Sequence, residues 1–433
     1  MSALIFVWGV YLGLIYLVLD GAADRLEDKV TSYSRAKKPY LDLIVRGGRC
    51  GLMYTVGKGI APESDGAVLS ILGYNPHIYY TGRGPLEALG AGIRIREGWE
   101  VAFRANFATV NPKTLDLIDR RAGRSLTTEE AKALAKALDG MDLGIYGGYV
   151  RVAATVGHRG VVVVGSKEVR LSDEVDNTDP AYRRVGKLSV AAENYFPRVK
   201  DCVPLKNTEE AKTTCELVNK FIREAVKILN NHPVNIEREK KGLPKANAIL
   251  LRDAGGSLPK VRPIRETFGL KFGAVVEMPV ELGIARLLGM DVAEVGPPSE
   301  DKEKDYEVRL NAAVDLLNRN DVVYVHLKGP DEPGHDGDVE RKVKAIEAID
   351  KYFVEPLIRR IDLNQHYLLV TSDHATPPSV GVHTDDPVPV VITGGSLTPD
   401  STLRLTELDC AEGSLGVISH GWELLPKVFS LIK

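Results

Sequence analysis

Three apolar runs in this 433-residue chain break off into aspartate or histidine. "LIYLVLD" ends at Asp20, "DVVYVHL" leads into "KGPDEPGHDGD" with Asp331 and His335, and "HYLLVTSDH" ends at Asp373 and His374. A short continuous apolar run bounded by polar residues reads as a strand buried on both faces, the kind that builds parallel α/β sheets. Carboxylates and imidazoles directly after such runs are expensive to bury unless they are paired or bound to a metal. In open parallel sheets ligands sit outside the carboxyl ends of the strands, which is where these residues fall. The pattern predicts an α/β fold, a mostly parallel sheet flanked by helices, with a polar site along one edge.

The rest of the chain supplies helices and a change of character. Pro39 to Gly47 reads as a helix closed by Gly47-Gly48. "GKGIAPESDGAVLSILGY" is a Gly- and Pro-rich loop entering an apolar-periodic helix. Ser64 and Asp65 stand at its start, where unpaired backbone N–H groups favour an anion. From about Gly98 to Val261 short alternating strands such as "GGYVRVAATV" and "GVVVVG" take over, followed by an amphipathic helix near Thr208 to Leu229. After Gly269 the α/β alternation returns, with a charged helix over Val339 to Arg360 and a closing strand "VPVVITG". The expected organisation is one domain made from residues 1–97 and 262–433, carrying an inserted smaller α+β domain at 98–261. The length suits two compact units.

Charge excludes several partners. With 56 basic against 59 acidic residues there is no overall field to hold nucleic acid or an anionic membrane surface, so anion binding must be local. Cys50, Cys202, Cys215 and Cys410 show no CxxC spacing, which argues against a zinc ribbon or a secreted framework and for a cytoplasmic protein. Gln365 is the single glutamine beside many Glu, Lys and Arg, a bias of proteins that work hot. In such a cell a Cys202–Cys215 disulfide stays open. Ala3 to Leu19 carries no charge and approaches membrane-spanning length, but it lacks the basic region and cleavage site of a signal peptide. By length alone a transmembrane anchor stays open; the reading favoured is that Leu14 to Leu19 is a buried strand, with the residues before it as an extra leader.

Seven side chains in these clusters are candidate metal ligands: Asp20, Ser64, Asp331, His335, Asp373, His374 and His383. Seven ligands of this type furnish two divalent-cation sites rather than one. Two cations suit phosphate chemistry, because one activates a serine hydroxyl and the other offsets charge on phosphoryl oxygens. Ser64 is the candidate nucleophile. Pro333 and Gly334 argue against a regular helix through Asp331 and His335, so that pair is expected to converge through a loop.

The order DGxxD, SD at a helix start, DxxxHD, then SDHxTP and a later His resembles the metalloenzyme core shared by alkaline phosphatases and cofactor-independent phosphoglycerate mutases. "GIAPESDGAVLSILGYNPHIYYTGRGPLEALGAGI", "NFATV", "DRRAGR" and "TSDHATPPSVGVHTDDPVPVVITGG" look like the archaeal branch of the mutases, and the resemblance runs from Leu17 to Lys433. It implies that Asp20, Ser64, Asp373 and His374 hold one ion and Asp331, His335 and His383 the other. The two divalent metal ions are usually manganese, with zinc, cobalt or magnesium as other occupants, and no 2,3-bisphosphoglycerate is needed.

The implied reaction interconverts 2- and 3-phosphoglycerate, in glycolysis and gluconeogenesis, through a phosphoserine on Ser64. The implied architecture is an alkaline-phosphatase-like domain with an inserted substrate-handling domain. The small phosphorylated carboxylate substrate calls for arginines, whose planar fork binds such anions bidentately. Asp119, Arg120, Arg121 and Arg124 of "DRRAGR", Arg252 of "LLRDAGG", Lys271 and Arg83 are the candidates, Arg121 and Arg252 foremost. Pro333 departs from the small residue expected there. Two other activities fit the same ligands: a phosphomonoester hydrolase, and the homoserine kinase of a related branch, against which stands the lack of a GxxxxGK[ST] loop. The sequence sets no oligomeric state.

Overall fold

A computed structural model describes residues 12–432 apart from 193, 297, 298 and 300, so most of the expected leader lies outside the described residues. Two compact units emerge: one comprises the chain up to Tyr80 with 261–277 and 284–433, the other 81–260 with 278–283. The second unit begins ahead of the expected Gly98 because the helix Arg83–Gly90 packs onto its strands. Gly84 there lies so close to neighbouring backbone that a Cβ would meet the Ala102 carbonyl at 2.3 Å.

In chain order the strands are β1 (Leu14–Leu19), β2 (Gly48–Met53), β3 (Glu100–Val110), β4 (Leu117–Asp119) and β5 (Gly148–Ala154). Next come β6 (Arg159–Ser166), β7 (Tyr182–Val185), β8 (Leu188–Ala191), β9 (Ala248–Gly255) and β10 (Phe272–Val276). The last are β11 (Asp291–Glu294), β12 (Val322–Leu327), β13 (Tyr367–Thr371), β14 (Val388–Gly394) and β15 (Gly416–Ile418).

The first unit is built on an eight-stranded sheet in the order β11-β10-β12-β1-β13-β14-β2-β15. All six residues of β1 are fully buried, as its uninterrupted apolar sequence requires of a strand covered on both faces. It lies parallel to β12 and β13, with Leu19 level with Leu327 and Val18 with Thr371. This register brings the carboxyl ends of three strands side by side. The closing strand β14 is antiparallel to both β13 and β2 and runs against the rest of the sheet. No helix among the described residues is long and apolar enough to cross a membrane.

Two helical expectations need adjusting. Asp331–His335 is a single helical turn, not a loop. Pro333 is its third residue, where the N–H has no intrahelical carbonyl to lose, so proline costs little. The charged helix over 339–360 is helical throughout but widens into a π turn at Asp350–Val354.

The second unit is α+β. Its antiparallel sheet centres on β3, paired with β4, β6 and β9, with β5 on β6. Helices Thr128–Leu138 and Glu209–Asn230 bury their apolar faces in a core with Phe103, Phe107 and Val162, to which the longer helix contributes Leu217 and Phe221. Both starts are capped: Thr127 and Glu130 form a capping box, and Thr208 accepts from the Ala211 N–H, each cap stabilising by about 1 kcal/mol.

Candidate metal and phosphate site

At the joined ends of β1, β12 and β13 the structure gathers two groups of candidate ligands. Asp331, His335 and His383 form one and Asp20, Asp373 and His374 the other, with the ligand atoms inside each group within 4.8 Å of one another. In the first group His335 Nε2 is 3.2 Å from His383 Nε2 and 3.4 Å from Asp331 Oδ1. In the second, His374 Nε2 is 3.3 Å from Asp373 Oδ2 and 3.5 Å from Asp20 Oδ1. Ser64, the first residue of the helix Ser64–Ile71, brings its Oγ to 3.3 Å from His374 Nε2. All seven predicted residues thus converge.

The backbone turns here admit little variation. Gly21, next to Asp20, adopts φ +58°, and a Cβ on it would lie 2.7 Å from Asp331 Oδ1 and from Thr376 Oγ1. Its N–H donates to Asp373 Oδ1 at 3.0 Å, which aims that carboxylate. The histidines are aimed in the same manner. His335 Nδ1 bonds the Gly381 carbonyl, His383 Nδ1 the Pro62 carbonyl, and His374 Nδ1 the Thr376 hydroxyl. A carbonyl can only accept, so His335 and His383 carry a proton on Nδ1 and turn Nε2 toward the other candidate ligands. The Thr376 hydroxyl donates to Asp331 Oδ1 at 2.8 Å, so it accepts from His374 and fixes the same tautomer. One hydroxyl therefore orients a ligand in each group.

Electrostatics mark the place as strained without positive charge. Asp20 Oδ1 and Asp373 Oδ2 are buried with no hydrogen-bond partner, an arrangement that costs free energy and that a divalent cation would relieve. Burial opposes ionisation of Asp20, yet Lys328, His326 and His374 hold it well below the carboxylate range. Burial and Asp20 push Asp373 up to about 7. For Asp331 burial and Asp20 push upward, but His383 and His374 outweigh them and bring it to about 2. His374 is driven well down by burial and His383, whereas Asp331 lifts His383 to about 9 against its own burial. Carboxylate, imidazole and serine oxygen are the donors that borderline divalent ions accept, so the residues fit two such ions.

Three contributors escaped the sequence reading. His326, inside β12, lies 3.6 Å from Asp20 Oδ1 and 3.5 Å from Asp373 Oδ2, and Lys328 Nζ is 3.1 Å from Asp20 Oδ2. Lys342, fully buried, donates to the carbonyls of Ala23 and Thr376 and to Asp24 Oδ1, tying the loop after β1 to the loop after β13. His326 follows the strand's alternation and Lys342 sits in a charged helix, so only the folded register distinguishes them from ordinary strand and surface residues.

The second unit holds a basic cluster of its own. Arg104 on β3 is directly opposite Arg252 on β9, a like-charge pair that is unfavourable unless an anion or counterion offsets it. Arg83 adds to the field at Arg104, and Arg121 and Arg159 each repel Arg252. Glu87 receives Arg83 at 2.6 Å and lies 3.5 Å from Arg104, while Arg104 Nε and Arg252 Nε are buried with no hydrogen-bond partner. Burial, Arg252 and Arg83 push Arg104 down to about 9, which leaves it charged at neutral pH. Burial and Arg159 push His158 down to about 4.

Tyr182 stacks under Arg252 at 3.9 Å and Arg120 at 5.1 Å, and Asp179 clasps Arg120 bidentately. Asp119 accepts from the Arg121 N–H, and Arg124 is exposed with φ +53°. Ala122 and Asp253 are also left-handed, so local backbone strain concentrates at this cluster. Arg104, Arg159 and Tyr182 were not anticipated. Lys271 was, and the structure removes it: it precedes β10 beside Asp321, at the amino ends of the strands. The length of the strand, about 17 Å, separates it from the carboxyl ends.

A mostly parallel sheet whose strand ends gather carboxylates, imidazoles and a serine at a helix start has the layout of a metal-dependent phosphoryl-transfer enzyme. The family model described as 2,3-bisphosphoglycerate-independent phosphoglycerate mutase matches residues 46–235. A protein of that name from Aeropyrum pernix is 50% identical over 97% of this chain and 99% of its own. One from Archaeoglobus fulgidus is 40% identical over 97% and 98%. Among solved structures, the cofactor-independent phosphoglycerate mutase of Thermoplasma acidophilum superposes with a TM-score of 0.61 at 32% identity, covering 97% of this chain and 100% of that one. A Pyrococcus horikoshii protein superposes with 0.75 at 26% identity, covering 98% of each. The chain belongs to the 2,3-bisphosphoglycerate-independent phosphoglycerate mutase family.

Proposed function

We propose that this chain interconverts 2- and 3-phosphoglycerate through a phosphoserine on Ser64. The observation that carries the reading is the placement of Ser64 Oγ at 3.3 Å from His374 Nε2, beside two ligand groups. Asp20, Ser64, Asp373 and His374 would hold one divalent ion, and Asp331, His335 and His383 the other, with manganese the occupant we favour over zinc, cobalt or magnesium. When bound, the ions supply positive charge that acidifies the serine hydroxyl and offsets phosphoryl oxygens.

Ser64 Oγ attacks phosphorus, the bond from phosphorus to the substrate oxygen breaks, and glycerate is released from the phosphoryl group. Glycerate then reorients in the site and presents its other hydroxyl, which takes the phosphoryl group from Ser64 and gives up its proton. Positioning is the work of Gly21, Thr376 and Lys342, which hold the ligand loops in register. The arginines of the second unit suit a carboxylate or phosphate, with Arg104, Arg121, Arg159 and Arg252 the principal binders. A cytoplasmic setting follows from the reaction.

Enzyme stripped with a chelator, then given each metal in turn and 3-phosphoglycerate, tests the reading. The expected product is 2-phosphoglycerate, fastest with manganese. Inorganic phosphate without 2-phosphoglycerate would make the enzyme a hydrolase instead.

A further inference from the structure

We propose that Cys202 and Cys215 are joined by a disulfide bond in the working enzyme, a covalent modification site within the second unit. Both thiols are buried, and their sulfur atoms lie 2.7 Å apart, inside the separation at which unbonded heavy atoms pack. Cys215 lies on the helix Glu209–Asn230, and Cys202 on the extended strap over 199–205 that crosses it.

The strap is fastened to that helix independently of sulfur. Asn219, one turn beyond Cys215, accepts from the Cys202 N–H at 2.7 Å and donates to the Cys202 carbonyl at 3.0 Å. A side-chain amide gripping both backbone groups of one cysteine holds it against the helix that carries the other, so the sulfur atoms, already 2.7 Å apart, need move only slightly to bond.

The other edge of the strap gives the bridge a role. Lys200 N–H donates to the Thr178 carbonyl, Asp176 N–H to the Val203 carbonyl, and Leu205 N–H to the Glu174 carbonyl. The segment 174–178 runs directly into Asp179, which clasps Arg120, and on to Tyr182, which lies against Arg252. Bridging Cys202 to the helix therefore anchors the stretch of chain that holds two arginines of the basic cluster.

Closure is a two-electron oxidation by thiol–disulfide exchange with a small-molecule disulfide or a protein dithiol–disulfide oxidoreductase. One cysteine thiolate attacks the oxidant's disulfide and expels a thiolate. The second cysteine thiolate then attacks the mixed disulfide, forming Cys202–Cys215 and releasing the other half as a thiol. The two protons lost by the cysteines end on the two thiols of the reduced oxidant. Burial protects the pair once folded, so exchange belongs to the folding chain, in which the two residues are only 13 positions apart.

The test is to refold the full chain with divalent metal in a buffer of oxidised and reduced glutathione. The refolded protein is then denatured in acid, blocked with N-ethylmaleimide, and its tryptic peptides are mapped by mass. The expected result is a linked species containing Cys202 and Cys215, lighter than its two peptides by the two hydrogens lost. Recovery of both cysteines as maleimide adducts from natively refolded protein overturns the proposal. As an independent reading, the oxidised wild type should melt roughly 6–12 °C above C202S/C215S and fall to it after reduction. Equal melting of oxidised protein and double variant also overturns it. Cys50 and Cys410 lie in the other unit and are mapped separately.

Discussion

The Thr376 hydroxyl has one proton to give and gives it to Asp331, so its lone pairs face His374 Nδ1, and one side chain sets the orientation of a ligand in each group. Replacing it by valine keeps the shape and removes both bonds. Thr376→Val should weaken divalent-ion affinity about 10- to 100-fold at both sites, while Thr376→Ser stays near wild type, as measured by titration calorimetry on chelator-stripped protein. A variant that lost activity with unchanged affinity would show that the hydroxyl acts elsewhere. Ser64 is a separate matter, because it is only partly buried and its removal disturbs no packing. Ser64→Ala should abolish mutase turnover, by at least about 10⁴-fold, while melting temperature and circular dichroism stay unchanged. Retained turnover would rule out the phosphoserine route.

At the scale of elements, strand ends were legible and helix starts less so. Asp20, Asp373 and His374 follow uninterrupted apolar runs; a lone Asp at a strand end is a cap or turn residue more often than a ligand, and it is the recurrence of such clusters at three strand ends that marks these positions in the sequence. Arg104 and Arg159 could not be found in the same manner, since each sits inside or at the end of a strand with nothing local to distinguish it. Their meaning comes from β3–β9 and β3–β6 register, which places Arg104 opposite Arg252 and Asn106 opposite Arg159. Lys271 failed for the converse reason, a basic residue beside a strand but at its wrong end. The turn Asp331–His335 was mistaken for a loop because proline was judged by residue type and not by position in the first turn. Asp350 is another long-range contributor: its carboxylate accepts from Tyr40 and Leu41 N–H at 3.3 and 2.6 Å, capping the helix Pro39–Arg46, whose own N-cap, Lys38, bonds Asp42 through its ammonium and makes no side-chain capping bond. Asp350→Ala should cost about 1–2 kcal/mol in urea unfolding. An unchanged midpoint would mean that water replaces the cap without loss.

Over the whole molecule the two chemistries are divided between the two units. Every proposed metal ligand, from Asp20 to His383, lies in the unit built on the mostly parallel sheet, and the basic cluster from Arg83 to Arg252 lies in the other. On the proposed reading the first cluster would relieve its buried carboxylates by accepting cations and the second its crowded guanidiniums by accepting anions, so each ligand should stabilise its own unit. Hydrogen exchange separates the two effects. Adding manganese to chelator-stripped enzyme should slow exchange in peptides covering 20–24, 331–336 and 373–384 while leaving 119–124 and 248–256 unchanged. Adding 3-phosphoglycerate to metal-free enzyme should do the reverse, and its effect should weaken with salt because arginine-held anions are screened. Protection by manganese at 119–124 or 248–256 would show that the units respond as one body and that the division of labour drawn from residue placement does not hold in solution.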